Sequence, residues 1–437
     1  MVILFGDWVN DDIKSVLLIE PNFPIPSKSR NHKNFLPIGL LKIAGYFKSK
    51  SIDVNLIRHD GGEIDIDLEH NAVLDVSFNK INDKKPDLIF ITSIFTYWAK
   101  YVKEAVLFYK KLYPDVPIIV GGIYASLMPE HCLKFTGCDD IIVGQIPEAE
   151  NIAPAYDLVD VDYQIIHTTR GCIRRCKACG VYDIEPIWSC KKSIKDEICK
   201  KKIVFYDNNL LANEYIEDIL NELIELKKDK KISYIESQSG FDGRILIDNP
   251  YLANLIKEAG FKNPKIAWDG PLSDKDSIYK QISILCDAGF NAKDISVFML
   301  YNHELPYEEL EKKRVKCFDM GVQITDCRFR PLNSIKDDYN PRKHTGQTSK
   351  DYFIHPNWTD IAVRKFRRNV RRHNICIRHD VDFHSSLMER KKIPQDTARK
   401  YHKLGYDNIN KELVPDAWTP KLFHDVTEQD YFNVYSK

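Results

Sequence analysis

The stretch RGCIRRCKACG, residues 170–180, sets Cys172, Cys176 and Cys179 in a loop shared with Arg170, Arg174, Arg175 and Lys177. Three thiolates so close in sequence converge on one centre only where it accepts ligands from a single run of backbone, as a cuboidal iron–sulfur cluster does. A 4Fe-4S cluster held by three cysteines keeps one iron open to a substrate or cofactor, the logic that separates catalytic from structural zinc. The surrounding positive charge offsets that of a thiolate-ligated cluster. A zinc site completed by His167 or Cys190 competes for the same loop, although zinc motifs usually pair two short knuckles and one is present. In that reading the chain is a non-catalytic binding protein stapled by zinc.

The rest of the composition narrows the class. The chain has 437 residues, enough for two or three packed units, with 43% hydrophobic and 29% charged side chains. Its 63 basic and 63 acidic residues balance, so it is no polycation built to coat nucleic acid. No apolar run approaches the roughly 18 residues that cross a bilayer, and the opening MVILFGDWVNDD turns acidic too soon for a signal peptide. A cytoplasmic protein without a membrane partner is therefore expected. The 11 cysteines are odd in number and unevenly spread, which favours free thiols and ligands over a disulfide framework.

Downstream of the loop, β-branched strand patterns alternate with helical ones. The strands expected are 164–169, 202–207, 232–237, 265–270, 294–300 and 322–329. Between them, 213–226 places Tyr215, Ile216, Ile219, Leu220, Leu223 and Ile224 on one helical face. Two further helical stretches end in Ala-Gly-Phe, where glycine suits a C-terminal cap. Upstream, residues 15–145 repeat an α/β pattern through SVLLIE, VNLI, DLIFITS, PIIVGG and DDIIVG, which reads as a doubly wound domain. Its Gly121 and Gly122 allow close backbone approach to a ligand.

On the wording TTRGCIRRCKACG, the chain resembles the radical S-adenosylmethionine (SAM) enzymes, whose loop is C-x3-C-x2-C. The resemblance implies that Cys172, Cys176 and Cys179 hold a 4Fe-4S cluster whose open iron binds the amino and carboxylate groups of SAM. One electron then cleaves SAM to a 5′-deoxyadenosyl radical. A one-electron donor such as flavodoxin or ferredoxin is implied as a partner. The family's residue before the third cysteine is usually aromatic and is Ala178 here; Tyr182 and Trp188 are the nearby substitutes. Asp207 and Asn208 of YDNN stand where the family contacts the SAM amino group. ESQSGFDGR (236–244) resembles a Q-G-x-D-x-R stretch that would bring Gln238 and Arg244 to the SAM carboxylate. Asp269 and Asn302, at the ends of the next strands, are further candidates, although polar residues are common there.

The segments 35–50 and 120–130 resemble the cobalamin (B12)-binding-type domain that precedes the barrel in one branch of that superfamily. There a corrinoid lies over the C-terminal edge of the sheet and its methyl group passes to a substrate. The D-x-H-x-x-G element is absent, so no histidine of this domain is expected to ligate cobalt, and VGQIPEAE (143–150) is a degenerate form of the branch's G-E-G-E turn. The implied fold is α/β, with three parts. A Rossmann-like cobalamin-binding domain covers 1–150, a partial (β/α)6 radical SAM barrel 151–333, and a mixed C-terminal region 334–437. With corrinoid the leading outcome is methyl transfer; without it, rearrangement, cyclisation or sulfur insertion stays open.

After residue 333 the chain turns polar, and 336–351 reads as loop. A helix is expected over 360–374, with Arg364, Arg367, Arg368, Arg371 and Arg372 on one face and Ile361, Phe366 and Val370 away from it. Such a stripe is either a solvated face or a grip for an anionic or nucleotide-like substrate. Cys317, Cys327 and Cys376 form no knuckle and are expected to be free thiols.

Overall fold

A computed structural model of the chain describes residues 5–8, 12–59, 85–343 and 345–380. Its contacts divide it into two units, Met1–Val204 with Pro331–Asp338, and Phe205–Arg330 with Tyr339–Lys437. Among the described residues no helix is long and apolar enough to cross a membrane.

The first unit is built on β1 (Ser15–Glu20), β2 (Asp53–Arg58), β3 (Leu88–Ser93), β4 (Ile118–Gly122) and β5 (Asp140–Ile141). They form one sheet in the order β2-β1-β3-β4-β5, parallel throughout. Because successive side chains alternate in direction, each strand feeds two cores. Leu17, Ile19, Ile89 and Ile91 pack with Val102, Val106 and Tyr109 of the helix Ala99–Leu112. Val16, Leu18, Leu88 and Phe90 pack with Leu40, Ala44 and Phe47 of the helix Ile38–Ser49. Helices on both faces explain why β1 is buried at all six positions, as a doubly covered parallel strand should be. The strand order reverses at β1 and β3, so the crevice for a ligand lies at their C-terminal ends. The same unit continues through β6 (Tyr163–Ile166) and an antiparallel pair, β7 (Thr169–Arg170) and β8 (Ser189–Cys190).

The unit boundary falls within β9 (Lys202–Phe205). The second unit holds β10 (Tyr234–Ser237) and a parallel sheet of β11 (Lys265–Ala267), β12 (Ser296–Tyr301) and β13 (Gln323–Arg328). Every strand expected downstream of position 163 is present, within two or three residues of its expected limits. The first expected helix begins at Ile216 instead of residue 213, because Asn213 turns its side-chain oxygen onto the Tyr215 N–H, 2.8 Å away. The Ala-Gly-Phe stops behave as anticipated: Gly260 caps Leu252–Ala259 at φ +98° and Gly289 follows Lys275–Asp287 at φ +91°.

The C-terminal helix runs Asp360–His379, with the Thr359 hydroxyl accepting from the Ala362 N–H at 3.2 Å. Its buried face is Val363, Phe366, Asn369, Val370 and His373, so the expected face is rotated: Ile361 is 64% exposed and Arg372 is buried. Ile361 is exposed although its first-turn neighbours Asp360 and Val363 are buried, because at helical spacing it falls on the side away from Val363, Phe366, Val370 and His373. The arginines divide accordingly. Arg364 pairs with Asp360 at 3.0 Å, while Arg367, which lies over the Tyr339 ring, Arg368 and Arg371 are all exposed.

His373 is wholly buried and its Nε2–H donates to the Val322 carbonyl at 2.7 Å. Burial, and then Arg314, lowers its pKa from 6.5 to about 3. On acidification the unfolded chain takes this proton first, so the helix's stability contribution is complete above pH 6.5 and drains as pH falls toward 3. The slope expected from this group is on the order of 1 kcal/mol per pH unit. Urea denaturation midpoints between pH 7 and pH 5 should fall, and His373→Gln should flatten that fall.

Candidate cluster loop and cofactor-binding edges

The cysteine loop is held at its base. Arg170 donates from Nε and Nη2 to one oxygen of Glu150, at 2.9 and 2.7 Å, and from Nη1 to Glu185 at 3.1 Å. The other Glu185 oxygen accepts the Gly171 N–H at 2.8 Å. Lys42 adds a second cation to Glu150 at 3.0 Å. Burial pushes the Glu150 carboxyl up, but Arg170 and Lys42 outweigh it and hold it below the ordinary carboxylate value. Gly171 is required: its φ is +70°, and a Cβ would lie 2.7 Å from the Ile187 carbonyl. Glu185 did not stand out in the sequence reading, and Glu150 did so only as the last residue of the degenerate turn VGQIPEAE.

From that base the three thiols are accessible: Cys172 is half-buried, and Cys176 and Cys179 are exposed. The Arg174 N–H reaches the Cys172 sulfur at 3.4 Å, and the Cys179 N–H closes on the Cys176 carbonyl at 3.0 Å. Arg175 stacks over Tyr182 at 4.3 Å, which engages one of the aromatic substitutes considered for position 178. Among the described residues no three His, Cys, Asp or Glu side chains converge tightly enough for a single ion. Three accessible thiols in one open loop are a donor set that a cuboidal cluster accepts, since thiolate is its usual ligand. His167 and Cys190, the fourth ligands considered for zinc, line a cavity of about 350 Å3 with Glu150, Arg170 and Lys191. Burial, followed by Arg170, Lys42 and Lys191, drives the His167 pKa well below its usual value.

At the C-terminal edge of the five-stranded sheet, Gly122 adopts φ +100°, and a Cβ there would stand 2.1 Å from the Ser93 carbonyl. The close approach this glycine permits is thus to the end of β3. Gly121 is less constrained, its nearest contact being Ile142 at 3.7 Å. Two hydroxyls missed in the sequence stitch this edge. Ser93 donates to the Gly121 carbonyl at 2.7 Å and accepts from the Ala125 N–H at 3.1 Å. Ser126 donates to the Gly122 carbonyl at 2.8 Å and accepts from the Gly144 N–H at 2.9 Å. Half-buried Phe95 and Tyr97 stack at 4.9 Å beyond β3, and Ile123 is exposed beyond β4. A rigid, glycine-floored edge with an apolar rim suits a flat macrocycle with an apolar face.

In the second unit, Asp207 is buried and Asn208 half-buried just beyond β9. The next residue, Asn209, donates its amide to Asp242 at 3.0 Å. Asp242 also caps the helix Gly243–Asp248 and pairs with Arg244 at 3.1 Å. The exposed Arg244 guanidinium is therefore folded back on its own cap. Gln238 is half-buried and its N–H bonds to the Phe205 carbonyl at 2.8 Å. Cys317 and Cys376 are buried and Cys327 half-buried, each a free thiol.

Residues 33–153 match the B12 binding domain family. No curated protein sequence matches the chain. Its fold is similar to that of TsrM, a radical S-adenosylmethionine methyltransferase from Kitasatospora setae. The structure with cobalamin and a [4Fe-4S] cluster aligns at TM-score 0.52 and 14% identity, over 74% of this chain and 77% of that one. The structure with tryptophan and a SAM analogue aligns at TM-score 0.51 and 13% identity, over 73% of each. Likeness at this identity is a likeness of fold, and it agrees with the α/β class and parallel sheets expected from the sequence.

Proposed function

We propose that the chain is a radical SAM enzyme with a cobalamin-binding domain, and that it transfers a methyl group. The observation that carries this reading is the loop of three accessible thiols, anchored by Arg170, Glu150 and Glu185, in a chain whose residues 33–153 match the B12 binding domain. When bound, the cluster, SAM and corrinoid supply electron transfer, a 5′-deoxyadenosyl group and a transferable methyl group.

The chain's own residues hold and orient. Cys172, Cys176 and Cys179 are the cluster ligands. Arg170 and Glu185 fix the start of their loop, so the thiols are presented at low conformational cost. Asp207, Asn208, Gln238 and Arg244 are assigned to SAM; Arg244 would exchange its Asp242 partner for the SAM carboxylate, one charge-assisted bond for another. Gly121, Gly122 and the Phe95–Tyr97 rim are assigned to the corrinoid. The division into 1–150, 151–333 and 334–437 is kept as a functional one. A flavodoxin- or ferredoxin-like donor supplies the electron, and a cytoplasmic location follows from that need.

The match over 33–153 favours methyl transfer above rearrangement, cyclisation or sulfur insertion. TsrM was solved with tryptophan as substrate, which makes a small nitrogen-bearing ring compound a reasonable first substrate class to try. The test is anaerobic reduction of the reconstituted protein with SAM and cobalamin, followed by mass spectrometry. S-Adenosylhomocysteine or 5′-deoxyadenosine is expected. A brown, iron-loaded protein that yields neither with any reductant or substrate class would oppose the reading.

A further inference from the structure

The strand ends of the second unit carry one carboxylate that no assignment above uses. The ladder of β11 continues past Ala267 to Trp268, whose N–H bonds to the Phe298 carbonyl at 2.9 Å, and Asp269 follows. Alternation divides the sheet into two faces. Ile266, Trp268, Val297, Met299, Tyr301 and Ile324 are buried. Ala267, Asp269, Phe298, Leu300, Thr325 and Cys327 take the opposite face, which is more open. The register pairs Ala267 with Phe298 and Phe298 with Thr325, and one row higher Leu300 with Cys327. Asp269 therefore stands in the last row, beside Leu300 and Cys327. Burial, followed by the charges of Asp326 and Asp269, pushes the Cys327 thiol up to about 12, so it is neutral. Asp269 keeps an exposed edge, but its carboxylate takes the Leu300 N–H and is attracted by Lys313 and His303; burial outweighs these and raises its pKa.

Its placement is held at a cost. Lys313 is wholly buried, with an ammonium that donates to the Trp268 carbonyl at 2.7 Å and to the Gly270 carbonyl at 2.8 Å. These are the carbonyls either side of Asp269. A buried ammonium is expensive, and this one both fixes a three-residue turn and attracts the Asp269 carboxylate that the turn carries. With both flanking carbonyls drawn to Lys313, the Asp269 side chain is committed to the open face. Its surroundings there are Leu300, whose N–H it accepts, Phe298, a neutral thiol and the nearby Lys313 ammonium, and beyond the strand ends His303 packs edge-on to Phe329 at 4.4 Å.

We propose that Asp269 anchors the substrate through a cationic nitrogen, with Lys313 as its positioning residue, and that the substrate is a small amine on an apolar, ring-bearing body. The proposal rests on the enzyme reading above for the word substrate, but binding tests it alone. The probes are 2-phenylethylamine and 2-phenylethanol, which share a body and differ in the cation. Equilibrium titration of the reconstituted full chain with SAM should show the amine bound about tenfold more tightly than the alcohol. Asp269→Asn should remove that preference while alcohol binding and iron content stay unchanged. Lys313→Met should reduce the preference with Asp269 in place, and Lys313→Arg should restore part of it, which a merely structural lysine would not do. Equal or absent binding of the two probes, or a preference that survives Asp269→Asn, overturns the proposal. Failure of SAM cleavage in the wild type would instead count against the enzyme reading and leave the binding result to stand.

Discussion

Replacing Cys172, Cys176 and Cys179 together with alanine is expected to reduce iron to the adventitious level and SAM cleavage by roughly a thousandfold, about 4 kcal/mol of barrier. The loop offers no other thiolate between residues 170 and 180, and the nearest outside it, Cys190, faces the cavity beside His167. The fold should survive the change. Cys176 and Cys179 are exposed and Cys172 half-buried, so the triple variant removes little packing. Its metal-free denaturation midpoint should match that of metal-free wild type to within about 0.5 kcal/mol. Retention of iron by this variant would show that other residues hold the cluster.

Gly122→Ala is expected to cost about 3 kcal/mol and to abolish corrinoid binding. Two penalties combine. At φ +100° and ψ −167° the backbone lies where glycine alone is at ease, and the new methyl would press on the Ser93 carbonyl at 2.1 Å. Relief requires β4 to move from β3, which breaks the bonds that Ser93 makes to the Gly121 carbonyl and the Ala125 N–H. Gly137→Ala separates the penalties, because Gly137 has φ +74° but open space around its missing Cβ. It should cost about 1 kcal/mol and leave corrinoid binding intact. Urea denaturation of both variants, with a cobalamin titration, measures the difference.

Strand existence was legible because buried parallel strands are written as β-branched runs. SVLLIE and LIFITS needed little else to be placed, and their alternation also gave the two cores. The cysteine loop was legible because its ligands are consecutive in sequence. What holds the loop was not: Glu150 and Glu185 reach Arg170 from other segments, and a single sequence gives no sign which acidic residue meets which basic one. The same limit hid Ser93, Ser126 and Asn209, whose bonds depend on strand neighbours. Lys313 was invisible for the opposite reason, since a lysine in YEELEKKRVKCFD reads as a solvated helix position. The face of the C-terminal helix was shifted because its partners, Val322 and Glu311, lie about fifty residues earlier in the chain.

The most direct measurement is electron paramagnetic resonance of the anaerobically reconstituted and reduced protein, with and without SAM. The account predicts a reduced 4Fe-4S signal whose g-values shift when SAM is added, because one iron has no protein ligand and SAM occupies it. A colourless protein with stoichiometric zinc, or a cluster signal indifferent to SAM, would contradict it.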